Sequence, residues 1–395
     1  MRKNTYILVL MAVILMVAFA ACREDEVIYI KETVPVSQPE YTSVEGFYLL
    51  NEGVMTKDLA SLDYYNFATG EYERDVYVDA NPTVVMELGD VGNDIGIYGN
   101  KLYMVINCSN KVEVADKRTV KRIGQIDIPN CRYIKFYKGY AYVSSYVGPV
   151  VLDGQGSEED VYQLGAVFKV DTTTLTVVDT CVVGRQPDEL DIADGKIYVA
   201  NSGGYSMGNK AGYENTVSVI DIETFRETER IPIAMNLQCC RCDKRGILWV
   251  SSRGDYYGNP SSLYAYDTQK RRLVKQFNIP VGTMCMDGDS LYVISSDWSY
   301  IDGEFASPTY KIINTKTFEV VNENFITDGT EKKIYKPYGI AVHPITKDIY
   351  LTDATNYVAL GYLYCFDPSG KMKWRVRAGN IPAHFVFLGN NINEQ

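Results

Sequence analysis

The chain has 395 residues, 46% hydrophobic and 23% charged, which is apolar enough for a large core and too ordinary in charge for wholesale disorder. Its net charge is −11 and Lys and Arg do not cluster, which argues against nucleic acid or anionic lipid as the main partner, because both need a basic footprint. Tyrosine is the outlier, 32 residues against three Trp, and offers flat contact area and a hydroxyl at low entropic cost.

Residues 1–21 read as a signal peptide: Arg2 and Lys3 open it, an apolar run over 6–17 follows, and FAAC at 19–22 closes it with small residues before a cysteine. The closing string looks like the lipobox of bacterial lipoproteins, with Phe19 where Leu is usual, so Cys22 is the expected acylated membrane anchor. A secretory signal with a chance cysteine is the alternative. Residues 22–44, which begin with the acidic REDE and carry Pro35 and Pro39, read as a tether.

One phrase then returns along the chain: FYLLNE at 47–52, LYMVIN at 102–107, AYVSS at 141–145, IYVANS at 197–202, LWVSSR at 248–253, LYVISS at 291–296 and IYLTD at 349–353. Each copy is an apolar, aromatic-bearing run ending in small polar residues, and the spacing is that of a four-stranded propeller blade. The expected fold is all-β, a seven-bladed β-propeller over residues 45–388 followed by a short tail at 389–395. Blade two sets the pattern: a first strand over 94–98, a turn at Gly99 and Asn100, and further strands over 102–107, 111–116 and 122–128. Asp171, Asp267, Asn314 and Asp367 each open a turn between third and fourth strands, which suits side chains that bond the turn backbone. The first phrase has no strand before it, and IPAHFVFL at 381–388 is left over at the end. The C-terminal strand is therefore expected to complete blade one and close the ring.

The strings IYVANS, VSVID at 217–221 and PYGIAVHP at 337–344 resemble the YVTN-type bacterial surface propellers. LGDVGND at 88–94, VINCSNKVEV at 105–114, IPNCRY at 128–133 and the opening NEG at 51–53 are similar to the BtuG-like surface lipoproteins of Bacteroidetes, which capture cobalamin. The resemblance covers residues 45–388. It implies a lipid-anchored outer-membrane protein on the cell surface that takes up cobalamin or a related corrinoid and delivers it to a TonB-dependent transporter. The resemblance places no contact residue position by position.

Strand direction puts the long connections, around 147–164, 202–215, 253–262, 297–309 and 354–361, on one face of the disc, while the opposite face has turns of two or three residues. Tyr146, Tyr205, Tyr256, Tyr257, Trp298, Tyr300 and Tyr357 fall there, with Asn51, Asn93, Asn107, Asn201 and Asn356 on the same rim. Arg132, Arg185 and Arg253 map there too, able to hold a phosphate or carboxamide or to pair with acids such as Asp188 and Asp255. His384, on the closing strand, is expected to reach the channel, and His343 to lie on the short-turn face. Aromatic faces among amides suit a flat, amide-rich ligand. A glycan is the alternative ligand, and solvated loops are the bland reading.

Catalysis has little support, so the chain is read as a monomeric binding module with no cofactor and no resident metal. A metal-dependent hydrolase or lyase remains the third reading, through Glu52, Asp94, Asp188 and Asp353. Residues 153–160 alternate oxygen ligands without completing a calcium loop. Cys108 and Cys131 are the candidate disulfide, and Cys239, Cys240 and Cys242 are expected to be buried thiols.

Overall fold

The computed structural model describes residues 33–389 apart from 58, 84–86, 149–161, 207–210, 297 and 300–302, and for 206, 298, 299 and 304 the backbone alone. Seven antiparallel sheets form the blades of a closed β-propeller. The strands nearest the axis are Gly92–Tyr98, Cys131–Tyr137, Pro187–Ala193, Leu237–Cys242, Thr283–Asp287 and Pro337–Val342 for blades two to seven. Blade one takes its innermost strand from the other end of the chain: Pro382–Gly389 pairs with Val44–Asn51, with Leu49 opposite Phe385 and Phe47 opposite Phe387.

The repeated phrase holds the ring together through the two-residue periodicity of a strand. Leu102, Ile197, Leu248 and Ile349 pack into the cluster shared with the preceding blade. Their neighbours Tyr103, Tyr198, Trp249 and Tyr350 turn the other way, into the cluster shared with the following one. One apolar cluster fills each of the seven seams between blades, so the core is a ring of interfaces. At the short-turn face Asp194 and Gly195 both have positive φ, 48° and 71°, the signature of a tight hairpin whose twist matches its strands.

Two elements differ from expectation. The segment read as tether joins the sheet at Thr33–Pro35, which pairs with Glu71–Glu73 as a fifth, outermost strand of blade one. Val34 and Val36 explain this, since both pack on the cluster between blades seven and one. A short helix, Val76–Ala80, then buries Val76 and Tyr77 beside blade two.

Candidate ligand-binding site

The inner strands enclose a channel cavity of about 780 Å³, within the range of small-molecule sites (about 300–1,000 Å³). Its walls divide by blade. Blades two to five contribute Asn93, Asp94, Arg132, Tyr133, Glu189, Gln238 and Arg241, whereas blades six, seven and one contribute mainly Met284, Met286, Ile340, Val342, Phe385 and Phe387, with Asp287, Glu52 and His384 among them. The mouth on the long-loop face is aromatic: Tyr205, Tyr256, Phe305 and Tyr357 come from the loops of four successive blades, and Tyr338 from the first strand of blade seven. Tyr338 and Tyr357 meet edge to face with centroids 5.9 Å apart, and Phe305 lies 6.2 Å from Tyr357.

Two ionic groups, around Asp188 and Glu189, organise the polar wall, and a third, Glu52 with His384 and Tyr338, stands on blades one and seven. Asp188, fully buried, accepts from Arg132 Nη2 at 3.3 Å, Arg253 Nη1 at 3.0 Å and the Tyr146 hydroxyl at 2.7 Å. Glu189 pairs with both Nη atoms of Arg241 and accepts the Cys240 amide. Glu52 lies 3.2 Å from His384 Nε2 and accepts the Tyr338 hydroxyl at 2.9 Å. Burial, then the nearby Glu52, pushes the Tyr338 phenol well above its usual range. Burial, then Asp188 and Glu189, does the same to Tyr133. Both hydroxyls therefore stay protonated donors at neutral pH. The remaining carboxylates considered for metal binding have separate partners: Asp94 accepts the Ile95 and Ile134 amides, and Asp353 those of Tyr335, Lys336 and Thr355.

Of the residues singled out in the sequence, Asn93, Asn107, Arg132, Tyr205, Arg253, Tyr256, Tyr357 and His384 line the cavity. Others have different partners. Asn51 Nδ2 donates to Ser61, and Asn201 Nδ2 to Ser218 and Thr216, so both amides work inside the blades. Tyr146 lies beneath the mouth, its ring 4.7 Å from the Arg132 guanidinium. Arg185 turns to Glu214 and the carbonyls of Ala211 and Gly212. Asn356 Oδ1 accepts the amides of Val358 and Ala359 within its own loop, and Tyr257 is exposed outside the cavity. The Trp298 side chain, Tyr300, Cys22 and the acidic stretch 153–160 lie outside the described residues.

Cys108 and Cys131 are free thiols, so the candidate disulfide is not formed. The buried Cys131 Sγ donates to the carbonyls of Lys111 and Ile106, while Cys108 is exposed and turns to Asn107 Oδ1. Cys239 and Cys240 point to opposite sides of their strand, into the clusters between blades five and six and between four and five.

A match to the family described as "Domain of unknown function (DUF5074)" spans residues 45–388. The chain belongs to this family. It is 30% identical over 151 residues to Antigen Lp49 of Leptospira interrogans, an alignment covering 36% of this chain and 33% of that antigen. The chain therefore spans about a third of the length of this curated relative. Hydrazine synthase of Kuenenia stuttgartiensis has a similar fold at 18% identity and a TM-score of 0.55, over 70% of this chain and 76% of that one. So does a quinoprotein alcohol dehydrogenase-like protein from Bacteroides thetaiotaomicron, at 12% identity and a TM-score of 0.54, over 88% and 79%. At these identities the likeness concerns the fold alone.

The DUF5074 channel also uses residues that the sequence reading did not choose as ligand contacts: Glu52, Tyr133, Glu189, Gln238, Arg241 and Tyr338. A signal was present. Each sits at the end of a second strand or within a first strand, where the two-residue alternation alone selects the axis-facing side chains. Bulges in the first strands, as between Pro187 and Leu190 and between Leu237 and Cys240, shift that alternation and hide the phase.

Proposed function

We propose that this DUF5074 propeller is a cell-surface binding protein that captures cobalamin or a related corrinoid on its long-loop face. The observation that carries the reading is the mouth, where Tyr205, Tyr256, Phe305, Tyr338 and Tyr357 surround a cavity of about 780 Å³ with one polar and one apolar wall. Aromatic faces cover the apolar area of a flat ring system, while hydroxyls and guanidiniums bond its amides. Capture needs only such a preformed concave surface and no bond-making chemistry. The relative named as an antigen supports a surface location, as does the FAAC string. Anchorage through Cys22 and delivery to a TonB-dependent transporter are what the resemblance to the cobalamin-capturing lipoproteins implies.

The test is gel filtration of the protein mixed with cobalamin, followed by visible absorbance. Colour is expected in the protein peak. Colour found wholly in the small-molecule fraction removes the corrinoid reading, and glycan binding at the same mouth is then measured instead. Tyr256→Ala combined with Tyr357→Ala is expected to weaken capture by at least about 2 kcal/mol, because rigid aromatic anchors carry most of the energy at such a surface.

A further inference from the structure

Four arginines stand on or beside the polar wall, and they are not equally satisfied. Arg185 is held by Glu214 and two backbone carbonyls. Arg241 is held by both oxygens of Glu189 and by the Cys240 carbonyl. Arg132 and Arg253 differ. Among the described residues each guanidinium makes one hydrogen bond, and both go to the same carboxylate, Asp188. That carboxylate also accepts the Tyr146 hydroxyl. Arg132 Nε is buried with no partner. Both side chains line the cavity, at 12% and 26% exposure, and most of the N–H donors that a guanidinium carries are left unengaged.

Two cations on one anion leave a positive charge in excess at this point, within a chain whose net charge is −11. A buried donor without an acceptor is costly, and a charged one more so. An oxyanion is the group that fits, because the planar fork of a guanidinium matches phosphate and carboxylate geometry. The neighbouring Glu189 is already matched to Arg241, and the other cavity carboxylates, Glu52, Asp94 and Asp287, come from blades one, two and six, with Asp287 paired to Lys347. They disfavour an anion on their own side and direct it to the arginines of blades three and five.

We propose that Arg132 and Arg253, held apart by Asp188, form an oxyanion subsite for a phosphate, phosphodiester or carboxylate group carried by the captured ligand. The inference rests on the capture reading for its ligand and adds a requirement: the neutral, amide-rich body must bear an anionic group.

The experiment compares calorimetric titrations with cobalamin, which has a phosphodiester, and cobinamide, which keeps the macrocycle without it. Wild type is expected to bind cobalamin at least about tenfold more tightly, as a charge-assisted pair implies. In Arg253→Gln that ratio falls to within about twofold, whereas Arg253→Lys, which keeps the charge and guards against a folding artefact, retains part of it. Equal affinities in the wild type overturn the subsite and leave capture standing. Where neither corrinoid is retained the capture reading fails, and thermal unfolding with methyl phosphate against chloride at matched ionic strength decides the subsite alone. A melting-temperature rise in the wild type that Arg253→Gln loses supports it. No rise, or the same rise in both proteins, overturns it.

Discussion

His343 and Asp75 pull the pH dependence of stability in opposite directions. The His343 ring is fully buried between Phe67 and Phe387, and its Nδ1 accepts the amides of Ile345 and Thr346 at 3.0 Å. Burial lowers its pKa from 6.5 to about 4, so between these values the unfolded chain holds a proton that the folded one does not. Its contribution is complete above pH 6.5 and is lost as pH falls through about 4. Asp75 behaves inversely. Burial, then the neighbouring Asp63, raises its pKa from 3.8 to about 7, so its contribution is complete below 3.8 and lost as pH rises through about 7. Asp75→Asn is therefore expected to raise the urea midpoint, more at pH 8 than at pH 4, helped by the tolerance of Asn for the left-handed φ of 52° found there. His343→Gln is expected to flatten the fall in midpoint between pH 6.5 and 4. Equal effects of Asp75→Asn at both pH values would show that the carboxyl titrates normally. Neither environment was legible in the sequence, because both depend on burial by distant segments. The place of His343 was legible, because the HP pair at 343–344 marks a turn on the short-turn face.

The turns between third and fourth strands repeat one device. Asp171, Asp221, Asp267 and Asp367 each accept backbone amides of the next residues, and Asn314 does the same in blade six. Those amides, with Thr224 Oγ1 at Asp221, hold the carboxyls of Asp171 and Asp221 below their usual range, and at Asp367 the Ser369 hydroxyl leads, followed by the amides. A lowered carboxyl contributes above the unfolded value of 3.8, and the contribution is lost as pH falls through the folded one. Asp221→Asn copies blade six, so the turn is expected to form with a midpoint at pH 7 slightly below the wild type, and with a smaller loss between pH 4 and 3. A large loss at pH 7 would mean that the charge, rather than the acceptor, forms the turn. These turns were readable because their chemistry is local. The rim asparagines were read as equivalent, but Asn51 and Asn201 stand four residues after the start of their phrases and Asn107 five, on the other face of the strand, and Asn107 alone of the three lines the cavity. Even its Nδ2 is engaged, by Asn130 Oδ1 and the Cys131 carbonyl. A polar residue ending a strand can serve a ligand or a neighbouring strand, and here a one-residue offset in the alternation decides between them.

At the scale of the molecule, the chain's two halves of blade one make the ring a single cooperative object. Closure was legible because an unpaired first phrase and a leftover last strand complement each other. The strand Pro382–Gly389 does more than fill a gap in a sheet. Val386 and Leu388 enter the seam between blades one and two, while Phe385 and Phe387 enter the seam between seven and one. The Gly379 amide also donates to the buried Asp63 across 316 residues of sequence. Burying those four apolar side chains contributes on the order of 5–10 kcal/mol, comparable to the whole stability of a typical domain. A chain ending at Asn380 leaves Val44–Asn51 with an exposed apolar edge, a template for pairing with other chains. It is expected to bind a hydrophobic dye, to lose its single sharp thermal transition and to aggregate. A synthetic peptide of residues 381–389 added in trans is expected to restore the transition by strand addition, since both its register and its two apolar faces are specified by the seams it fills. The same peptide with Phe385 and Phe387 changed to Ser keeps the backbone donors and loses the blade-seven seam. If it rescued equally well, hydrogen bonding at the edge, and not the packing of two seams, would be what closes the ring.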